Sequence, residues 1–169
     1  MKPTIILFIV ILMLVCCKQN VGKIAGNTVK EEVLKESGAL NEDKDKTGNF
    51  LVDGISYSGK SSMQFLGDKD KDQFSVVCQV GEPYTLLQVT FINRESAKGS
   101  LQPAEGFYIM EAGQAHVALS GTRIGNQEFV TQKESGGSII VNGNKLFLKN
   151  LELFSLDGDT KTVNAEVGF

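Results

Sequence analysis

From Asn49 to the C-terminal Phe169, the chain alternates apolar and polar residues with a period of two. Side chains of a β-strand point alternately to opposite faces, so this alternation is typical of strands that are buried on one face. No part of this region has the helical period, and glycines recur at the breaks between runs. Short strands without crossover helices predict an all-β domain, an antiparallel β-sandwich of about nine strands, with a small β-barrel as the alternative.

Individual runs carry more specific predictions. In Gln73–Val80 the alternation places Cys78 on the face that points to the core. Tyr84–Asn93 is apolar on both faces, as expected of a central strand. The Asn142-Gly143 pair lies between two apolar runs and predicts a hairpin turn. The alternation slips near Lys149-Asn150, which predicts a β-bulge.

The composition disfavours some classes of function. The formal net charge is -3, so no basic field attracts nucleic acid, and the absence of tryptophan removes one common base-stacking residue. Of the three cysteines, only Cys78 lies in the alternating region, so no intramolecular disulfide can form there. We therefore expect no nucleic-acid partner and a domain that is stabilised by burial of apolar side chains.

The N-terminal stretch Met1–Cys17, MKPTIILFIVILMLVCC, is the second strong signal. One lysine and the aliphatic run Thr4–Val15 are typical of a secretory signal, and about a dozen apolar residues are too few for a membrane span of about 20. The stretch resembles bacterial lipoprotein precursors, whose lipobox has an aliphatic residue three positions before, and a small residue directly before, the acylated cysteine. Leu14 and Cys16 occupy these positions relative to Cys17.

The resemblance implies that Cys17 carries the lipid, with an acyl chain such as palmitate, and attaches the chain to a membrane. Cys16 is the alternative acceptor, and an ordinary secretory signal is the alternative to a lipobox. Residues 1–16 are then the signal peptide. Residues 17–48 are rich in charge and lack aromatic side chains, so they are predicted to be a flexible tether with a short, marginal helix over residues 28–37. The folded domain is predicted to span residues 49–169.

Location is predicted from the residues that follow the acceptor cysteine. They are Lys18 and Gln19, and neither is the acidic residue that retains some lipoproteins at the inner membrane of bacteria with two membranes. The resemblance therefore implies a place in the cell envelope, and in the outer membrane if the host has one.

The segment GISYSGKS matches the letter pattern of a nucleotide-binding P-loop through Gly54, Gly59, Lys60 and Ser61. In such a loop the backbone amides converge on phosphate at the N-terminus of a following helix. The residues that follow here have the pattern of a strand and a hairpin tip. We therefore interpret the match as coincidental and predict no nucleotide site.

Other candidate chemistry is sparse. Asp68, Asp70 and Asp72 alternate in a way that could offer oxygen ligands to calcium, but the glycine and glutamate that an EF-hand requires are missing. We interpret them as a solvated hairpin tip and predict no metal or other cofactor. His116, the single histidine, alternates with apolar neighbours and is predicted to face outward, while a core-facing Cys78 would stay protonated. The domain is therefore predicted not to be an enzyme.

Two long polar connections, residues 94–105 and residues 120–127, are the predicted recognition loops, with a short strand predicted at Gly106–Met110 between them. Loops on a rigid scaffold often carry recognition because core packing does not dictate their sequence. The candidate contacts in and beside these loops are Arg94, Lys98, Tyr108 and Arg123.

Together these patterns favour a membrane-anchored envelope lipoprotein that acts as a surface or periplasmic binding or adhesion module. Its partner is expected to be a protein or a glycan. The alternative is a structural component that docks permanently with another envelope protein. A hydrolase of the secreted compartment is the third and least favoured hypothesis.

Overall fold

The computed structural model describes residues 46–67, 72–81, 84–106 and 108–169. The signal stretch with Cys16 and Cys17, the predicted tether helix, Asp68 and Asp70 lie outside these residues. The described residues form ten strands: β1 (Thr47–Val52), β2 (Ile55–Leu66), β3 (Gln73–Val80), β4 (Thr85–Phe91), β5 (Gly99–Pro103), β6 (Gln114–Gly121), β7 (Glu128–Val130), β8 (Ser138–Asn142), β9 (Lys145–Phe154) and β10 (Thr160–Gly168). Two 3₁₀ turns, Arg94–Ser96 and Thr122–Ile124, are the helical elements of this part of the chain.

The strands pair into one sheet that closes on itself. Around the ring the order is β1, β2, β3, β4, β6, β5, β8, β9 and β10, and β10 returns to pair with β1 from Gly48↔Val167 to Val52↔Val163. The short β7 is the tenth strand and pairs with β6 and β9. The all-β prediction is confirmed. The architecture is the barrel given as the alternative, rather than a two-sheet sandwich, because the last strand pairs with the first.

Along one hydrogen-bonding edge, β6 pairs with two strands in succession. Gln114 and Ala115 pair in parallel with β5, whereas residues 118–120 pair antiparallel with β7. The strand arrangement is therefore antiparallel with one parallel exception. β5 and β8 fill the wall between β6 and β9 at one end of the barrel, and β7 fills it at the other.

Apolar side chains fill the barrel interior. The ring of Phe74 packs against those of Phe91 and Phe169, each at a centroid distance of 5.7 Å, and Phe50 stacks on Tyr57 at 5.1 Å. All five rings belong to one buried cluster. Full burial of such side chains contributes about 1.5–3 kcal/mol each, so this interior is the main source of stability.

Two local predictions are confirmed. β4 lies between β3 and β6 and buries residues of both faces, as expected of a central strand. The bulge lies where the alternation slips, since one residue of β10, Asn164, faces both Lys149 and Asn150 of β9. Asn150 has a positive φ of 47° there, and its backbone N–H donates to Asn164 Oδ1 at 2.9 Å.

Two hairpins differ in their turns. β8 and β9 form the predicted hairpin, but Asn142 pairs with Lys145, so the turn residues are Gly143 and Asn144, one position later than predicted. Of these two, Gly143 has the positive φ, 57°, as in a type II′ turn. The β1–β2 turn is Asp53-Gly54, where both φ values are positive, 50° and 83°, as in a type I′ turn.

The predicted strand at Gly106–Met110 is wrong. Residues 104–106 and 108–113 connect β5 to β6, and the strand is β5, inside the segment predicted as a recognition loop. β5 buries one apolar side chain, Leu101, and pairs with β8 from Gly99↔Val141 to Leu101↔Ile139. Its alternation is too weak to be recognised without that neighbour. At the N-terminal boundary of the predicted domain, β1 begins at Thr47, inside the segment predicted as tether.

Candidate functional site

The four candidate contacts predicted from the sequence do not form one site. Arg94 follows the C-terminal end of β4, whereas Arg123 follows Gly121, which pairs with Thr85 at the N-terminal end of that strand. A strand of seven residues is about 20 Å long. The two arginines therefore lie at opposite ends of the barrel.

Each arginine lies against a ring of the core. The guanidinium carbon of Arg94 is 6.0 Å from the ring centroid of Phe74, and that of Arg123 is 6.0 Å from the ring centroid of Tyr57. Arginine commonly lays its apolar stem and planar head over aromatic surface in this way. The positions of both arginine side chains are thus explained by packing on core rings at the ends of the barrel.

The other two candidates lie on exposed segments. Lys98 follows the 3₁₀ turn Arg94–Ser96, and its backbone N–H donates to the Ser96 carbonyl oxygen at 2.9 Å. Tyr108 lies in the β5–β6 connection with its side chain 86 % exposed, next to Ile109 at 68 %. The predicted recognition loops therefore form separate surfaces.

A polar groove of about 660 Å³ lies on the wall formed by β1, β2 and β3. It is lined by Thr47, Asn49, Ser58, Gly59, Lys60, Ser62, Gln79 and Gly81. Phe50, Tyr57 and Val80, the neighbours of lining residues along the three strands, belong to the core cluster. Because side chains alternate along a strand, the lining side chains point away from the interior. The groove is thus on the outer face of the barrel.

The groove lies where the two ladders of β2 overlap at a single residue. β2 pairs with β1 on one edge from Ile55 to Lys60, and with β3 on the other edge from Lys60 to Leu66. Gly59 directly precedes this residue, and a Cβ there would collide with the carbonyl oxygen of Gln79. Glycine therefore permits the close approach of β2 to β3 where their ladder begins.

The groove lining offers three hydroxyl groups, two carboxamides and one ammonium, and no carboxylate. Ser58 Oγ donates to Asn49 Oδ1 at 2.7 Å, directly across the β1–β2 ladder. Lys60 is flanked in register by Thr47 on β1 and by Gln79 on β3. These groups stand on paired strands, so their spacing is set by the sheet. The arrangement suits a ligand with many hydrogen-bonding groups.

The thiol of Cys78 lies on the inner side of the same wall. The side chain is 1 % exposed, which confirms that it faces the core. Burial raises the pKa of the thiol to about 11, although hydrogen bonds from the backbone of Gly59 and Gly48 act in the opposite direction. A buried, protonated thiol is a poor nucleophile.

The residues of the P-loop letter pattern do not form a phosphate-binding loop. Gly54 is a hairpin turn residue, and Gly59, Lys60 and Ser61 belong to β2. The Ser61 hydroxyl donates to the carbonyl oxygen of Gly168 at 2.5 Å, and its backbone N–H donates to that of Lys46 at 3.0 Å. Amides paired along a strand cannot converge on one phosphate group. Gly59 and Lys60 belong instead to the polar groove.

His116 stands on the outer face of β6, as predicted, opposite Thr90 of β4. Its side chain is nevertheless buried there, with only 7 % exposed. Its Nδ1 lies 3.2 Å from both the Ala104 carbonyl oxygen and Thr131 Oγ1. Residues that follow β5 and β7 therefore cover the imidazole. The alternation along β6 predicted the outer face correctly, but it could not reveal that residues after β5 and β7 bury this side chain.

Among residues 46–67, 72–81, 84–106 and 108–169, no group of three or more His, Cys, Asp and Glu side chains could hold a metal ion. Asp72 is the member of the aspartate pattern that belongs to these ranges, and it is partly buried. Within the same ranges, no helix combines the length and the apolar character needed to cross a membrane.

The sequence analysis missed the polar groove, although a signal was present. Ser56, Ser58, Lys60 and Ser62 follow one another at alternate positions of β2. One strand therefore presents a row of small polar groups around a single cation on one face. No protein-family model, curated protein or solved structure matches the chain.

Proposed function

We propose that this protein is a lipid-anchored binding module of the bacterial cell envelope, and that the polar groove on β1, β2 and β3 is its recognition surface. The observation that carries the proposal is the position of the groove. The barrel interior is packed with apolar side chains, whereas the groove is a concave polar surface that opens outward beside Lys60. Anchoring rests on the lipobox resemblance of Met1–Cys17.

Binding is favoured over catalysis by the state of the two side chains best suited to nucleophilic or acid–base chemistry. Cys78 is 1 % exposed behind the groove, and His116 is 7 % exposed within a hydrogen-bonded cluster. A reacting group must be within hydrogen-bonding reach of its substrate. The groove itself presents hydroxyl, amide and ammonium groups, which recognise ligands well.

A permanent structural role is the second candidate, and one observation favours it. Tyr108 and Ile109 are adjacent and expose large apolar side chains, 86 % and 68 %. Apolar and aromatic side chains of this kind are common at protein–protein interfaces. In that role the β5–β6 connection, rather than the groove, would carry the contact.

Photo-crosslinking in intact cells separates the two roles. A photoreactive residue is placed in the full-length protein at Gln79 in the groove, at Ile109 in the β5–β6 connection, or at Lys149, which is exposed on β9. We expect covalent adducts from position 79, and background levels from position 149. Adducts from position 109 alone would reject the groove and favour the structural role.

Anchoring has its own test. Replacing the predicted acceptor, Cys17→Ala, should leave the protein as an uncleaved precursor or release it into the soluble fraction. Cys16→Ala is the matched control and should remain lipidated and in the membrane fraction. The opposite pattern would place the lipid on Cys16, and membrane retention of both variants would reject a lipobox.

A further inference from the structure

We propose that the polar groove binds an acidic saccharide and that Lys60 is the contact for its carboxylate. This inference rests on the groove being the recognition surface. It adds the chemical class of the ligand and the residue that distinguishes a charged sugar from a neutral one.

The lining of the groove selects for hydroxyl-rich ligands. Serine and threonine hydroxyls donate and accept, and carboxamides offer both a donor and an acceptor group, so such a surface can pair with the adjacent hydroxyls of a sugar ring. A lipid tail or an apolar peptide gains affinity by burying apolar surface, and no lining residue has an apolar or aromatic side chain. A lipid tail or an apolar peptide is therefore a poor fit.

The charge of the lining selects for a ligand with few anionic groups. Lys60 is the one cation among the lining residues, and no lining residue carries a carboxylate that would repel an anion. A ligand with closely spaced phosphates, such as a nucleic acid, is bound by several cations together. A saccharide with one carboxylate per ring matches a single ammonium group flanked by neutral donors.

The groove also has the size and the rigidity that a saccharide site needs. Its volume of about 660 Å³ is within the range of about 300–1,000 Å³ of small-molecule sites. The hydrogen bond between Ser58 Oγ and Asn49 Oδ1, at 2.7 Å, fixes two of its polar side chains.

The test uses the full-length protein in detergent micelles and two probes that differ in charge but not in their sugar ring. The probes are tetragalacturonate and its methyl ester, and binding is measured by isothermal titration calorimetry. We expect the acid to bind, and the ester to bind about tenfold more weakly because it lacks the charge-assisted contact. Lys60→Gln should weaken binding of the acid about tenfold and leave binding of the ester unchanged. Lys149→Gln, a matched change on β9, should affect neither probe.

Three results would overturn the inference. Equal affinity for acid and ester, or full affinity of Lys60→Gln for the acid, would remove the carboxylate contact at Lys60. Binding of neither probe would reject an acidic saccharide as the ligand class. The groove as recognition surface is decided separately by crosslinking from position 79, which does not depend on the ligand being a sugar.

Discussion

Two interruptions of strand pairing in the barrel wall, one on β2 and one on β6, are built in opposite ways. The ladder between β2 and β1 ends at Lys60, where the ladder with β3 begins on the opposite edge of β2, and the polar groove lies at this point. Along one edge, β6 leaves β5 for β7 between Ala115 and Ala118, and there the wall is closed by buried side chains. Where a ladder ends within a strand, backbone groups lose their strand partner, so each place needs a local solution.

At the β6 change, the fully buried Thr131 replaces the missing ladder. Its Oγ1 donates to the Ala104 carbonyl oxygen at 2.7 Å and accepts from the backbone N–H of Val117 at 3.0 Å. Its own N–H donates to the Val117 carbonyl oxygen at 2.9 Å. His116 Nδ1 lies 3.2 Å from both oxygens and faces two acceptors, so we infer that this nitrogen carries the proton.

Where the two ladders of β2 meet, a glycine stands in place of buried side chains, and the polar groups remain accessible. Gly59 brings β2 close to β3, and the adjacent Ser58 and Lys60 stay exposed. The contrast shows that the end of a ladder can be covered by buried side chains or left as an accessible polar groove. It predicts that substitutions at the β6 change affect folding, while side-chain substitutions in the groove affect binding.

The largest effect is expected from Thr131→Val, which keeps the shape of the side chain and removes its hydroxyl. The Ala104 carbonyl and the Val117 N–H would each lose a buried partner, and the free energy of unfolding should fall by about 2–4 kcal/mol. Urea denaturation measures the change. Thr131→Ser keeps the hydroxyl, so its free energy of unfolding should fall clearly less. A loss below about 0.5 kcal/mol in the valine variant would contradict the stabilising role of this hydroxyl at the β6 change.

The second largest effect is expected from Gly59→Ala, which should lower the free energy of unfolding by about 1–3 kcal/mol. The added Cβ collides with the backbone of Gln79, and overpacked sites relax only in part. Gly81→Ala is the matched control, since its Cβ would meet nothing within 4 Å. We expect that control to stay within about 0.5 kcal/mol of the wild type. Thermal unfolding of both variants tests the pair, and equal losses would reject the close approach of β2 and β3.

Cys78 should give a moderate dependence of stability on pH. Burial raises the pKa of its thiol from 9.0 to about 11 in the folded state, so the unfolded chain loses this proton first. The contribution is complete below about pH 9 and is lost as the pH rises toward 11, by up to about 1.4 kcal/mol per pH unit.

The measurement for Cys78 is urea denaturation from pH 8 to pH 10.5 on the protein and on Cys78→Ala. Other groups also titrate in this range, so the difference between the two curves isolates the thiol. Cys78→Ala should be less stable at pH 8 because of the cavity it leaves. The difference in free energy of unfolding between the protein and this variant should then narrow as the pH rises. A constant gap would show that the thiol is not shielded from solvent behind the groove.

The smallest effect on folding is expected from Lys60→Gln. The side chain is exposed on the outer face of β2, and exposed substitutions usually change stability by about 0.5 kcal/mol or less. Chemical denaturation should place this variant beside Lys149→Gln. A loss above about 1 kcal/mol in the free energy of unfolding would mean that Lys60 supports the barrel wall. It would contradict the expectation that groove side chains affect binding and not folding.

The sequence by itself determined the all-β class, the inward face of Cys78, the central place of β4 and the bulge at Asn150, because side-chain direction along a strand follows a local period of two. Only the tertiary structure decided which strands are neighbours. The pairing of β10 with β1 makes a barrel instead of a sandwich, β8 makes a strand of Gly99–Pro103, and residues near Ala104 and Thr131 bury His116. The groove follows from the point at Lys60 where the ladder with β1 ends and the ladder with β3 begins. Pairing between distant segments depends on closure of the whole ring, which no local pattern encodes.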